Sequence, residues 1–237
     1  MSQNGLEFRH ELKFVISNAQ RLMIENSLMG VMQRDKHLEG ESYNIRSVYF
    51  DDYQHSCYYE NENGTDPREK FRIRIYDCKD DFIRLELKKK EKSMTQKLQC
   101  ELTRGQYDRI MSGEPLSDFG ELPPLLKKFE LQRMTRLLRP DIIVDYHRIP
   151  YVYTLGNVRV TFDMDVASSV DFRGFFSREL SLRPILQQDM LILEVKYDEL
   201  LPGYIENIVK SAAGRKTSFS KFYLCKRYSF FGDSLCF

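Results

Sequence analysis

The sequence predicts an α+β protein built on a closed, eight-stranded antiparallel β tunnel with helices packed outside. Three observations carry that prediction. Eight segments alternate apolar and polar residues with period two, as half-buried strands do, because successive side chains on a strand point to opposite faces. In seven of the eight the polar parity holds Arg, Lys and Glu, where a merely solvated face would also use Ser, Thr and Asn freely. Between the strands the spacing turns helical, so helices are available to cover the apolar faces. Closure removes both sheet edges and turns the charged faces inward. An open sheet with a solvated charged face is the alternative, since antiparallel sheets often meet water on one side.

Residues 7–16, EFRHELKFVI, set Arg9, Glu11 and Lys13 against Phe8, Leu12 and Phe14. Ser17-Asn18 then opens a helix through about Met32. Residues 43–51 form the second strand, of ambiguous parity because Arg46 and Tyr49 fall on opposite faces. A polar loop or short helix over 54–68 leads into the central hairpin. There KFRIRIYD alternates Lys70, Arg72 and Arg74 with Phe71, Ile73 and Ile75; after a turn around Cys78–Asp81, FIRLELKKK alternates Arg84, Glu86 and Lys88 with Ile83, Leu85 and Leu87. Residues 96–103 make a fifth strand, with Lys97, Gln99, Glu101 and Thr103 on its polar face.

A helical insertion occupies about 104–140, with one helix near 105–111 and another started by Pro123-Pro124 and closed by Pro140. Strands resume at 141–150, 157–166 and 190–197, the last two placing Arg159, Thr161 and Asp163, then Glu194 and Lys196, on one face. The segment from about 199 to 230 is helical and broken near Gly214. No repeat and no linker divides the chain, so residues 1–237 are expected to form one domain.

With 36 Lys+Arg against 35 Asp+Glu the net charge is close to zero, which argues against a nucleic-acid binder and makes any basic site a local concentration of charge. The five cysteines, Cys57, Cys78, Cys100, Cys225 and Cys236, show no zinc spacing and are expected as free thiols. No signal peptide or run of about 20 apolar residues is present, so a soluble cytoplasmic protein without membrane insertion is expected. Cations gathered inside a barrel repel strongly, and a polyanion relieves that cost; Arg pairs phosphate oxygens with a planar fork, and carboxylates among the cations suit a divalent metal bridging protein and phosphate.

The ordered set RHELKF, SVYFDD, KFRIRIYD, RLELKKK, VDYHRIPY, VRVTFDMDV, LILEVKYDELLPGY and SFSKF resembles the VTC domain, the polyphosphate polymerase branch of the CYTH-like triphosphate tunnel metalloenzymes. The resemblance spans nearly the whole chain and implies an eight-stranded tunnel that handles ATP or inorganic polyphosphate with Mn²⁺ or Mg²⁺. By position it implies phosphate-binding and catalytic roles for Lys13, Arg72, Arg74, Lys88, Arg148, Arg159 and Lys221, with Lys196 as a further substrate contact and Glu194 as the metal ligand. The chain departs from the wider superfamily at Arg9, where a Glu opens the Glu-x-Glu-x-Lys pattern, and at Ser218, where a basic residue is usual. The SPX domain and membrane helices of the eukaryotic complexes are not seen, so a stand-alone catalytic domain is expected.

Three functions follow from this pattern. The first is transfer of the γ-phosphoryl of ATP to a growing polyphosphate chain. The second is hydrolysis of tripolyphosphate or a nucleoside triphosphate, with Glu11, Glu86, Glu101 or Asp163 positioning water. The third is a non-catalytic polyphosphate- or nucleotide-binding module. The pattern gives no oligomeric state.

Overall fold

The computed structural model describes residues 8–36, 40–92, 94–117, 119–213, 216–217 and 220–232. Ser218 and Cys236 lie outside these. The eight expected strands all form: β1 His10–Ser17, β2 Tyr43–Asp51, β3 Arg68–Tyr76, β4 Ile83–Glu91, β5 Met94–Leu102, β6 Arg139–Tyr153, β7 Val158–Ser169 and β8 Met190–Tyr197. They join in the order β1-β8-β7-β6-β2-β3-β4-β5, antiparallel at every step. Two-residue pairings at Gln33–Arg34, Arg183–Pro184 and Lys216–Thr217 extend the sheet beside β6, β7 and β1.

Register shows which side chains share a face. Lys13 lies opposite Glu194, Glu194 opposite Thr161, Arg148 opposite Asp163, Arg72 opposite Tyr49 and Glu86, and Lys88 opposite Lys70 and Lys97. Directly paired residues project to the same side, so the charged parity runs unbroken across the sheet. In β2 this face carries Tyr43, Ile45, Ser47 and Tyr49, whereas Arg46 points the other way and ion-pairs Asp145 at 2.6 Å. The ambiguous strand thus contributes hydroxyls to the charged face and no cation.

Two expectations need correction. The ladder does not close: β5 and the start of β1 meet through one antiparallel bridge, Arg9 with Thr95, whose two hydrogen bonds measure 2.9 and 3.0 Å. Strong twist brings the two ends of the sheet together, but the following residues diverge instead of continuing the ladder. Nor are all helices outside. α1 (Asn18–Leu28) and α5 (Gly203–Ala213) cover the outer face of β1, β8 and β7, packing Ile24, Leu28, Ile205 and Val209 on Phe14, Leu193, Val195 and Phe162. α3 (Arg104–Ser112) and α4 (Pro124–Thr135) cover the outer face of β2–β5 with Tyr107, Ile110, Leu126 and Phe129 on Val48, Ile73, Leu85 and Leu87. α2 (Ser56–Glu62) and α6 (Lys221–Phe231) pack instead on the charged side, where Tyr58, Phe222 and Leu224 meet Ile45, Ile142, Val144 and Ile192. One end of the concave face is apolar, and these two helices bury it.

Local signals account for the helix starts. Ser17 and Thr103 close reciprocal capping boxes with Gln20 and Gln106, and Ser220 accepts from the Tyr223 amide to start α6. The last case matters for function because it sets Lys221 at the first position of α6. No helix among the described residues is long and apolar enough to cross a membrane. Cys57, Cys78, Cys100 and Cys225 are free thiols.

Candidate active site

The concave face holds a cavity whose deeper part is walled by Lys13, Lys70, Lys221 and Phe222 and whose outer part reaches Arg84, Lys97 and Arg159; Glu11, Arg72, Arg74, Lys88, Arg148 and Lys196 line both parts. The structure therefore gathers Lys13, Arg72, Arg74, Lys88, Arg148, Lys196, Lys221 and Glu194 around one space. Arg159 stands at the outer end, its side chain 49% exposed and 2.9 Å from Asp35.

Four carboxylates, of which Glu86, Asp163 and Glu194 are buried and Glu11 part-buried, hold the cations in place. Glu86 is fully buried; Arg72 donates to it through Nε at 2.8 Å and Nη2 at 2.5 Å, and Lys97 at 3.2 Å. Asp163 accepts a bidentate fork from Arg148 at 2.6 and 2.7 Å, with Lys221 at 2.5 Å. Glu194 is met by Lys221 at 2.9 Å, Lys196 at 3.0 Å, Arg148 at 3.4 Å and Lys13 at 4.0 Å. Glu11 is met by Lys88 at 2.8 Å, Lys13 at 3.2 Å and Lys196 at 3.5 Å. Glu11 and Glu194 thus share Lys13 and Lys196 between them.

Burial alone raises a carboxyl group's pKa, yet the surrounding cations outweigh it and hold Glu11, Glu86 and Glu194 well below the usual carboxylate range. Lys221 is pushed up despite its burial, because Asp163 and Glu194 both favour the ammonium. On the other side of the cavity the balance reverses. Burial lowers Lys88 to about 7 and Lys70 to about 8, with neighbouring cations adding to the effect. Lys70 meets the Asn61 side-chain oxygen at 3.3 Å and the Phe222 ring at 4.5 Å.

Several of these side chains were not singled out as site residues from the sequence. Lys70 and Lys97 share the parity of Arg72 and Lys88, so the alternation that exposed the pair also marks them. Tyr49 and Tyr146 carry no such signal. Tyr49 Oη accepts from Arg72 at 2.7 Å, and Tyr146 Oη from Arg74 at 3.2 Å, with the Tyr146 ring near Lys221 and Arg148. Burial raises the Tyr146 phenol, but Arg148 and Arg74 bring it below its ordinary value. Ser47 Oγ accepts from Arg74 Nε at 3.3 Å, so neutral oxygens aim this guanidinium, with Glu86 a looser ion pair at 3.9 Å. Forks and ammonium groups set around one space can hold an anion, with an acidic corner at Glu194, Glu11 and Asp163.

Comparison with solved structures finds the same fold at low identity. An adenylate cyclase-like protein from Bacillus halodurans matches with a TM-score of 0.53 and 13% identity over 95% of this chain and 98% of its own. HpAC1 from Hippeastrum, an adenylyl cyclase-like protein with a dominant triphosphatase activity, matches with a TM-score of 0.50 and 13% identity over 94% of this chain and 96% of its own. No curated protein matches the sequence. The VTC domain model matches residues 8–230, and with a match across nearly its full length the chain belongs to the VTC domain family.

Proposed function

We propose that this protein transfers the γ-phosphoryl group of ATP to a growing inorganic polyphosphate chain within the cationic cavity. One observation carries the reading. Arg68, Lys70, Arg72 and Arg74 share one face of β3, and Arg84, Lys88 and Lys90 share the same face of β4. At about 3.3 Å per residue, each row spans about 20 Å. That is longer than one triphosphate needs, and it suits a linear polyanion or two phosphate groups placed end to end. The reading treats the two parts of the cavity as the two ends of one passage.

Arg72 and Arg74 grip phosphate oxygens by their forks, and Lys13, Lys88, Lys196 and Lys221 orient the terminal phosphate. Arg148, fixed by Asp163, stabilises charge where it develops on the transferred group, and Arg159 meets the anion at the outer end. The family implies a divalent metal, and the residues fit one: Glu194, with Glu11 beside it, supplies the hard oxygen donors that Mg²⁺ and Mn²⁺ prefer. An ion held there would supply Lewis-acid chemistry to the phosphoryl group. Attack by a phosphate oxygen needs no side chain to deprotonate water.

Hydrolysis of tripolyphosphate or a nucleoside triphosphate is the second reading, favoured by the triphosphatase activity of the Hippeastrum protein. Against it, Glu11, Glu86 and Asp163 are each bound to cations, and Glu101 is exposed. Incubation of the purified protein with ATP and Mn²⁺ tests both. ADP with long polyphosphate supports transfer, ADP with free phosphate supports hydrolysis, and intact ATP with retained binding points to a binding module.

A further inference from the structure

A second cluster of ligand atoms lies where the end of β2, the start of α2, the start of β6 and the middle of α6 converge. Asp51, His55 and Asp141 each present one such atom, and the three lie within 4.8 Å of one another. None of them lines the cationic cavity. Two of the atoms are unexplained by the fold: His55 Nδ1 and Asp141 Oδ2 are both buried without a hydrogen-bond partner. His55 Nδ1 is 3.7 Å from Asp141 Oδ1, too far for a hydrogen bond. Native structures rarely leave such atoms unsatisfied.

The remaining geometry fixes these groups around one point. Asp51 Oδ1 accepts from the Asp52 and Cys57 amides, each at 2.9 Å, and Oδ2 accepts from the Tyr58 amide at 3.3 Å. His55 caps α2 in the left-handed conformation, φ 56°, and its ring stands edge-on to Phe230 at 5.1 Å. Lys226 from α6 pairs with Asp141 Oδ1. Two carboxylates against one ammonium leave negative charge beside an imidazole nitrogen.

We propose that Asp51 Oδ2, His55 Nδ1 and Asp141 Oδ2 form a site for a divalent transition ion of the zinc class, separate from the phosphate cavity. One imidazole and two carboxylates are a donor set that zinc accepts, with a further position left for water. Bonds of about 2.0–2.2 Å set tetrahedral donors about 3.4 Å apart, so donors now within 4.8 Å of one another must draw together by up to about 1.4 Å. Lys226 is the internal competitor, since its ammonium already offsets part of the charge on Asp141. A bound ion would tie the end of β2 and the start of α2 to β6, beside α6, the helix that carries Lys221 into the cavity. The inference does not depend on what the cavity binds.

The test uses the full chain, stripped with a chelator and titrated with Zn²⁺ against a chromophoric competitor, with bound zinc counted by mass spectrometry. His55→Gly removes a donor while accepting the left-handed backbone without strain. Lys226→Met removes the competing ammonium, and Glu194→Gln removes the cavity carboxylate. The expected result is one zinc equivalent that weakens at least about tenfold in His55→Gly, persists in Glu194→Gln and tightens several-fold in Lys226→Met. Zn²⁺ is also expected to raise the Tm of the wild type and leave that of His55→Gly unmoved. Zinc binding that is absent from the wild type, unchanged in His55→Gly, or lost in Glu194→Gln alone overturns the proposal.

Discussion

The two flanks of the cavity are built from the same residue types and balanced differently. On the flank of β1, β8 and β7, joined by α6 and the neighbouring strand β6, the cations Lys13, Lys196, Lys221 and Arg148 face Glu11, Glu194 and Asp163. On the flank of β3, β4 and β5, Arg72, Arg74 and Lys97 gather on the buried Glu86, while Lys70 meets Asn61 and Lys88 reaches across to Glu11. Two like charges 4 Å apart at an effective dielectric of about 20 repel by about 4 kcal/mol. The second flank therefore gains most from an incoming anion. The first, with four cations against three carboxylates, is already close to balanced and gains less. Arrangement, more than composition, separates the two flanks.

Removing one carboxylate from the balanced flank should have the largest effect. Glu194→Gln is expected to lower metal-dependent turnover by about 100-fold or more. Metal-free tripolyphosphate binding should survive or tighten, because four cations lose a counter-charge. The ligand-free variant should also be less stable, and tripolyphosphate should raise its Tm by more than it raises the wild type's. Unchanged turnover would reduce Glu194 to an internal counter-ion and erase the distinction between the flanks.

On the cationic flank, Arg74→Ala is expected to weaken tripolyphosphate binding by about 10- to 100-fold, the worth of a charged hydrogen bond. Arg74→Lys should recover only part of it, because the fork aimed by Ser47 and Tyr146 is lost. Calorimetric titration of the two variants measures both effects.

A pH series sharpens the contrast further. Lys88 and Lys70 have depressed pKa values in the free protein, about 7 and 8, and an anion favours their ammonium forms. Affinity in the absence of metal should therefore fall as pH rises from 7 to 9.5, by up to about tenfold per unit for each lysine that must take up a proton. Lys88→Met should flatten the profile while lowering affinity at pH 7. A flat wild-type profile would show that the lysines are fully charged without ligand. The smallest change belongs to Arg159→Ala. That side chain is half exposed and already paired with Asp35, so an affinity loss below about threefold is expected.

Much of this architecture is legible in the sequence because strand parity reports directly on facing. The alternation of Lys70, Arg72 and Arg74 with Phe71, Ile73 and Ile75 gives the hairpin and its charged side together, and the register sets Glu194 opposite Lys13. What parity cannot report is how far a ladder continues. The single Arg9–Thr95 bridge depends on cumulative twist, which no local pattern records. Nor does helical spacing show which side of a sheet a helix covers, so α2 and α6 inside the concavity were not foreseeable. Arg46 was the ambiguous case for a physical reason: its partner, Asp145, is 99 residues away and lets a charge sit on the otherwise apolar face. Asp51, His55 and Asp141 share no spacing at all, because they converge through loops and strand ends.

The pairing of β1 with β8 has a consequence for synthesis of the chain. Lys13 must wait for Glu194, which at about 5–20 residues per second takes roughly 10–40 seconds to appear on a ribosome. During that interval β3 and β4 can already pair as a local hairpin and present their arginines and lysines without the balancing flank. The nascent chain thus offers a cationic strip to any polyanion nearby, ribosomal RNA included. Polyphosphate or ATP in the translation mixture should then speed recovery of folded protein, acting on the half-made sheet before the full cavity exists.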